Sequence, residues 1–299
     1  MLHERTFVSL GRTRIQAVSK SRNPNPPNRG VNTNRDAVEV APLLQAGIFF
    51  LIAYAISWTA WIILFAQHFS PFGGAGRKLY VIAVLAPHAA ALVTTALGGG
   101  SAAIRGFYCR VRRRIPLRWA IAAICVPPFI YLIRDAIAVG FGLSHGAFFH
   151  SPPRSVTALI IGQLIVVVGE EPGWRGFALP RLIARFGAIV GTLTIGLAWT
   201  FWHLPLFIIP GTPQHETNLL AFALELIAWS MVITLIMMHV RGSVVPAMLF
   251  HASANVCAFT MWEPDAQLFA LGPWIIAAGV AAWWIQSACR NSTAVHKML

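Results

Sequence analysis

Charge is what this sequence has least of: Asp, Glu, Lys and Arg together make up 11% of its 299 residues, where a soluble globular chain carries roughly 25%. Hydrophobic residues make up 57%, which argues against a soluble fold. Cysteine is scarce too. The four present, Cys109, Cys125, Cys257 and Cys289, show neither CxxC nor Cys/His ligand spacing and indicate neither a disulfide framework nor a zinc finger. HExxH is absent, and no internal repeat is visible. Residues 1 to 36 hold seven Lys or Arg, two acids and a proline-rich stretch from Asn23 to Asn28, but no apolar run long enough for a signal-peptide core. A disordered basic tail over residues 1–40 is expected.

What the chain does have is apolar blocks of bilayer length. Eight segments, at 43–66, 79–97, 119–141, 155–171, 188–208, 219–239, 244–262 and 268–287, each approach the roughly twenty residues that a helix needs to cross the hydrocarbon core. The expected fold is an all-α polytopic membrane bundle of about eight transmembrane helices, forming one domain over 41–289 with a short tail at 290–299. Gly98 to Gly100 break the chain after the second segment, and Pro210, Gly211 and Pro213 break it after the fifth.

Lys and Arg counted on alternate sides of the eight segments give 19 on the side of the N-terminal tail and 3 on the other. Cytoplasmic loops collect positive charge, so both termini are expected in the cytoplasm. The net charge of +13 then reflects topology and attraction to anionic lipid. Membrane lipid is an expected partner and nucleic acid is not.

Ionisable groups inside spans are costly and mark candidate functional positions. Here they are His88, Arg134, Asp135, Glu170, Glu171, His203, Glu225, His239 and His251, joined by Asn255. His239, at a span end, reads as a snorkelling structural group. Arg134 and Asp135 are sequence neighbours that point apart on a helix, so each calls for another partner. His88 and Glu225 read as structural or pore-lining.

Glu170 and Glu171 stand out because two adjacent carboxylates cannot both be idle at low cost. Glu171 lies four residues before Arg175, the favoured order for an ion pair on one helix face, while Glu170 is freer to act. Pro172 lacks an N–H and disturbs the carbonyl of Val168, and Gly173 loosens the turn, so a kink is expected here. His251 and Asn255 are also four apart and share a helix face. At about 1.5 Å of rise per residue, Glu170 and His203 lie at nearly equal height, about 25 Å from a turn near Gly187. A fourth helix protruding by a couple of turns would bring these groups together with His251 and Asn255 in the cytoplasmic half of the bilayer.

These residues resemble the three motifs of the CPBP intramembrane proteases, a family that includes type II CAAX prenyl endopeptidases and bacteriocin-processing or immunity proteins. The motifs are Glu170, Glu171 and Arg175, then Trp199 and His203, then His251 and Asn255. The likeness covers about 155–260, and Trp199 stands where the family often has Phe. The wording around Glu170 and His203 is close to bacterial members, which points to a bacterial plasma membrane.

The resemblance implies an intramembrane endopeptidase acting on membrane-associated, including CAAX-like prenylated, proteins or peptides that enter from the cytoplasmic half. Glu170 would activate water, His203 assist, and His251 and Asn255 hold the oxyanion, with Glu171, Arg175 and Trp199 in support and no cofactor. Three alternatives stay open. Glu170, His203 and His251 have the chemistry of zinc ligands; buried acids and histidines also serve proton-coupled transporters; and a non-enzymatic scaffold or immunity protein would retain the same motifs.

Overall fold

The computed structural model describes residues 33–142, 156–260 and 267–290, with side chains from 42, 159 and 271 onward in the three stretches. The basic N-terminal tail up to residue 32, the loop bearing Arg154 and the C-terminal tail lie outside the described residues. Eight α-helices follow in order: α1 (Thr33–Ala66), α2 (Gly74–Val111), α3 (Leu117–Gly140), α4 (Val156–Glu171), α5 (Leu179–Trp202), α6 (Leu219–Met238), α7 (Val245–Thr260) and α8 (Gln267–Arg290). A π-helical segment, Pro172–Ala178, joins α4 to α5, and two short 3-10 turns, Leu204–Ile208 and Pro213–Glu216, lead into α6. Among the described residues there is no strand.

Five stretches are long and apolar enough to cross a membrane: Pro42–Ala66, Gly74–Val111, Leu117–Gly140, Leu159–Ile208 and Leu219–Met238, with Val245–Thr260 as a shorter apolar helix. The fourth of these contains both the fourth and fifth expected segments. Gly187 separates them with φ 78° and ψ 168°, a conformation that a residue with a Cβ rarely adopts. Gly99 and Gly100 likewise break α2 where the expected second segment ends. The fold is a polytopic helical bundle, as the apolar blocks require.

The core is aromatic. Trp61, Trp174, Trp199 and Trp202 are fully buried, with Trp61 and Trp202 ring centres 4.7 Å apart and Trp174 edge-on to Trp202 at 5.7 Å. Leu51, Leu97, Phe129 and Ile276 are among many large apolar side chains left on the outside, the surface a bilayer accepts.

Proline inside a helix strands the carbonyl four residues back, and a bilayer offers that carbonyl no water. Neighbouring helices repair three such sites. Pro87 leaves Ala83 O without a backbone partner, and Ser57 Oγ of α1 donates to it at 2.7 Å. Pro128 leaves Ile124 O, which accepts from Ser253 Oγ of α7 at 2.7 Å. Pro172 leaves Val168 O, which accepts from His88 Nδ1 of α2 at 2.8 Å; with Nδ1 as the donor, Nε2 accepts from Tyr108 Oη at 3.0 Å.

Candidate active site

The chemistry gathers where α4 gives way to the π-helical segment. Pro172 cannot continue the α-helical ladder, and the wider turn gives the two adjacent glutamates different surroundings. The backbone approach is close: a Cβ on Gly173 would stand 2.5 Å from Pro87 O, so only glycine lets the π segment lie against α2.

Glu171 turns into the core. Its Oε1 accepts from Arg175 Nη1 at 2.9 Å and from His251 Nδ1 at 2.7 Å, and all three residues are buried. Arg175 Nη2 donates to Ser230 Oγ at 3.2 Å, and its guanidinium lies 4.0 Å from the centre of the Trp199 ring. A charged pair removed from water at this cost persists only when such additional contacts support it. The ion pair expected from the four-residue spacing is present.

Glu170 turns the other way and lines a cavity of about 1340 Å³ together with Trp199, His203, His251 and Asn255. Its Oε2 accepts from Trp199 Nε1 at 2.8 Å. His203, the C-cap of α5, donates from Nδ1 to Trp199 O at 2.7 Å, which leaves Nε2 as its remaining polar atom. Asn255 donates to Gln163 Oε1 at 2.9 Å. The sequence motifs thus meet on three helices around one space, with Glu171 and Arg175 just behind its wall.

One expectation needs correction. Arg134 and Asp135 do not point apart: Arg134 Nε donates to Asp135 Oδ1 at 2.6 Å, and the guanidinium lies 4.7 Å from the Tyr131 ring centre. Three methylenes let the arginine fold back over its neighbour, which Cβ directions alone do not reveal. The cavity is lined by Phe72, Arg77, Lys78 and residues of the 211–217 connection, and by none from 98–118, 179–187 or 239–244.

The other intramembrane groups have structural partners. Glu225 Oε1 accepts from Tyr131 Oη at 2.7 Å while lining the cavity. His239 donates to Leu235 O at 2.8 Å and stacks on Trp119 at 4.4 Å. Gln163 and Ser230 escaped sequence reading. Gln163 carried a signal, since it sits two turns before Glu170 on the same helix.

The zinc alternative requires Glu170, His203 and His251 to converge on one point. Among the described residues, no three His, Cys, Asp or Glu side chains are grouped so as to hold one ion.

A bundle of apolar helices with carboxylate, imidazole and amide groups around one internal cavity defines a membrane-embedded protein built to do polar chemistry inside the bilayer. The family model described as "Type II CAAX prenyl endopeptidase Rce1-like" matches residues 152–257. The chain is also 22% identical over 222 residues to "CAAX prenyl protease 2" of Methanococcus maripaludis, covering 70% of this chain and 82% of that one. Both matches are to CAAX prenyl proteases, the kind of protein that the three motifs resemble, and they indicate a membrane peptidase.

Proposed function

We propose that this peptidase is a glutamate-dependent intramembrane endopeptidase that needs no bound metal, with Glu170 as the general base. The observation that carries the proposal is that Glu170, His203, His251 and Asn255 line one cavity, Glu170 being held through a single oxygen by Trp199. Glu170 takes a proton from water as the water oxygen attacks the scissile carbonyl. The carbonyl electrons move onto oxygen, which Asn255 and His251 stabilise, the His251 ring being oriented by its Nδ1 contact with Glu171. Collapse of the tetrahedral intermediate breaks the C–N bond, and the proton held by Glu170 passes to the departing amine. His203, fixed by its bond to Trp199 O, presents Nε2 as an acceptor that orients the water.

The substrate class follows from the wall of the cavity. Ile82, Ile161 and Phe259 line it and are each about half exposed, so part of the wall is apolar. This suits a peptide whose anchor, a lipid group or an apolar segment, approaches through the bilayer. A prenylated C-terminal peptide, the substrate that the name of the Methanococcus maripaludis relative suggests, is one member of that class.

The test is cleavage of a peptide library by the purified protein in detergent. Glu170→Gln keeps shape and hydrogen bonding but cannot accept the proton, so cleavage should disappear while the protein remains folded. Wild-type rates in that variant would leave the chemistry without its base and sink the proposal.

A further inference from the structure

We propose that Glu225 and the aromatic rings around it form a specificity-determining pocket of the cavity, which receives a cationic side chain of the peptide being cut. The inference deepens the endopeptidase reading and rests on it for the word substrate.

Glu225 is a carboxylate for which the hydrolytic scheme has no use. Phe222, Glu225, Leu226 and Trp229 of α6 recur at three- and four-residue intervals, share one helix face and all line the cavity. The two rings that flank Glu225 on this face touch the candidate catalytic residues. Phe222 lies edge-on to His203 with ring centres 5.1 Å apart, and Trp229 stands 6.1 Å from His251 and 6.2 Å from Trp199. At about 1.5 Å of rise per residue, Glu225 is within about 6 Å of each along the helix axis. A group seated on it belongs to a residue near the scissile bond.

The surroundings select a cation. Tyr131 Oη donates to Glu225 Oε1 at 2.7 Å, and the indole N–H groups of Trp229 and Trp274 are turned towards the same carboxylate. Trp229 Nε1 still lacks a hydrogen-bond partner, which leaves a donor for a carbonyl of the bound peptide. The rings pack together, with Tyr131 edge-on to Trp274 at 6.0 Å and Trp229 at 5.9 Å from Trp274. A carboxylate among aromatic rings suits an ammonium or guanidinium group, which gains both a charge-assisted hydrogen bond and cation–π attraction.

Among the described residues the protein supplies no cation in contact with this carboxylate, since no Lys or Arg forms an ion pair with Glu225. Arg134 lies over the Tyr131 ring, pairs with Asp135 and is not part of the cavity wall. Arg77 and Lys78 do line the cavity, but both are exposed. A half-buried carboxylate without a counter-charge is costly, and a bound cation offsets that cost.

The experiment reads binding as well as cleavage. Fluorescent apolar peptides, each with one lysine moved along the sequence, are compared with the same peptides carrying acetyl-lysine, which loses the charge. Titrated in detergent against the full chain carrying Glu170→Gln, the lysine peptide should bind about tenfold more tightly at one position, and adding Glu225→Gln should bring the ratio near one. Glu225→Gln keeps the shape and the bond from Tyr131, and its melting temperature verifies the fold. Should it not fold, Glu225→Asp, which draws the carboxylate back by one methylene, should lower the ratio instead. With Glu170 intact, the same preference should appear in kcat/KM for a lysine at a fixed distance from the bond cut. Equal affinity for the two peptide series at every position overturns the inference without any change at Glu225. So does a lysine preference undiminished in a folded Glu225 variant. A lysine preference in binding with no cleavage by the Glu170 protein supports the pocket and defeats the endopeptidase reading, which keeps the two failures apart.

Discussion

Trp199 donates its indole N–H to Glu170 at 2.8 Å while its ring face covers the guanidinium of Arg175 at 4.0 Å. One side chain thus joins the base in the cavity to the buried ion pair behind it. Its two contacts are separable by mutation, because a phenyl ring keeps the face and lacks the N–H.

Trp199→Phe should accordingly fold well and lose about tenfold in kcat, the size of one charge-assisted hydrogen bond of about 1.5 kcal/mol. Trp199→Leu removes the face as well and should also lower the melting temperature in detergent. Equal kinetics for wild type and Trp199→Phe would show that the indole N–H does not position Glu170.

The buried pair makes a prediction about stability. Glu171→Gln leaves Arg175 charged and unpaired in the core, at a cost of about 3–5 kcal/mol. Changing both residues, Glu171→Gln with Arg175→Met, should cost less than the two single changes added together. Thermal unfolding of the four proteins measures the coupling, and strict additivity would argue that each residue acts alone.

A different coupling is expected between Ser57 and Pro87. Ser57→Ala strands Ala83 O and should destabilise by about 1–3 kcal/mol. Pro87→Ala restores a backbone N–H to that carbonyl. In that background, Ser57→Ala should be nearly neutral. Undiminished loss in the Pro87→Ala protein would mean that the serine stabilises by packing instead.

Chelation and the third motif test the role of metal together. With His251 and Asn255 as oxyanion donors, treatment with a strong chelator should leave the rate unchanged, and Asn255→Ala should cost roughly 10² to 10³ in kcat. Activity lost to chelator and restored by stoichiometric zinc would transfer Glu170, His203 and His251 to the ligand role.

Much of this was legible in the sequence because it is local. Apolar block length gave the helices, glycine gave the breaks at 99–100 and 187, the four-residue spacing gave the Glu171–Arg175 pair, and Pro172 gave the disturbed helix. What stayed hidden depends on which helices touch. Nothing in the spacing joins Gln163 to Asn255, Tyr131 to Glu225 or His88 to Val168 O, although each bond closes a polar group that would otherwise be buried alone.

The proline repairs also bear on how the protein comes into being. Helices α2, α3 and α4 each reach the bilayer with a bare carbonyl beside or ahead of a proline, and the hydroxyl or imidazole that answers it belongs to another helix. For α2 and α4 the partner lies on a helix made earlier, so repair follows insertion directly. For α3 it comes from Ser253 in α7, synthesised well over a hundred residues later. The carbonyl of Ile124 therefore lacks this partner until the seventh helix is made.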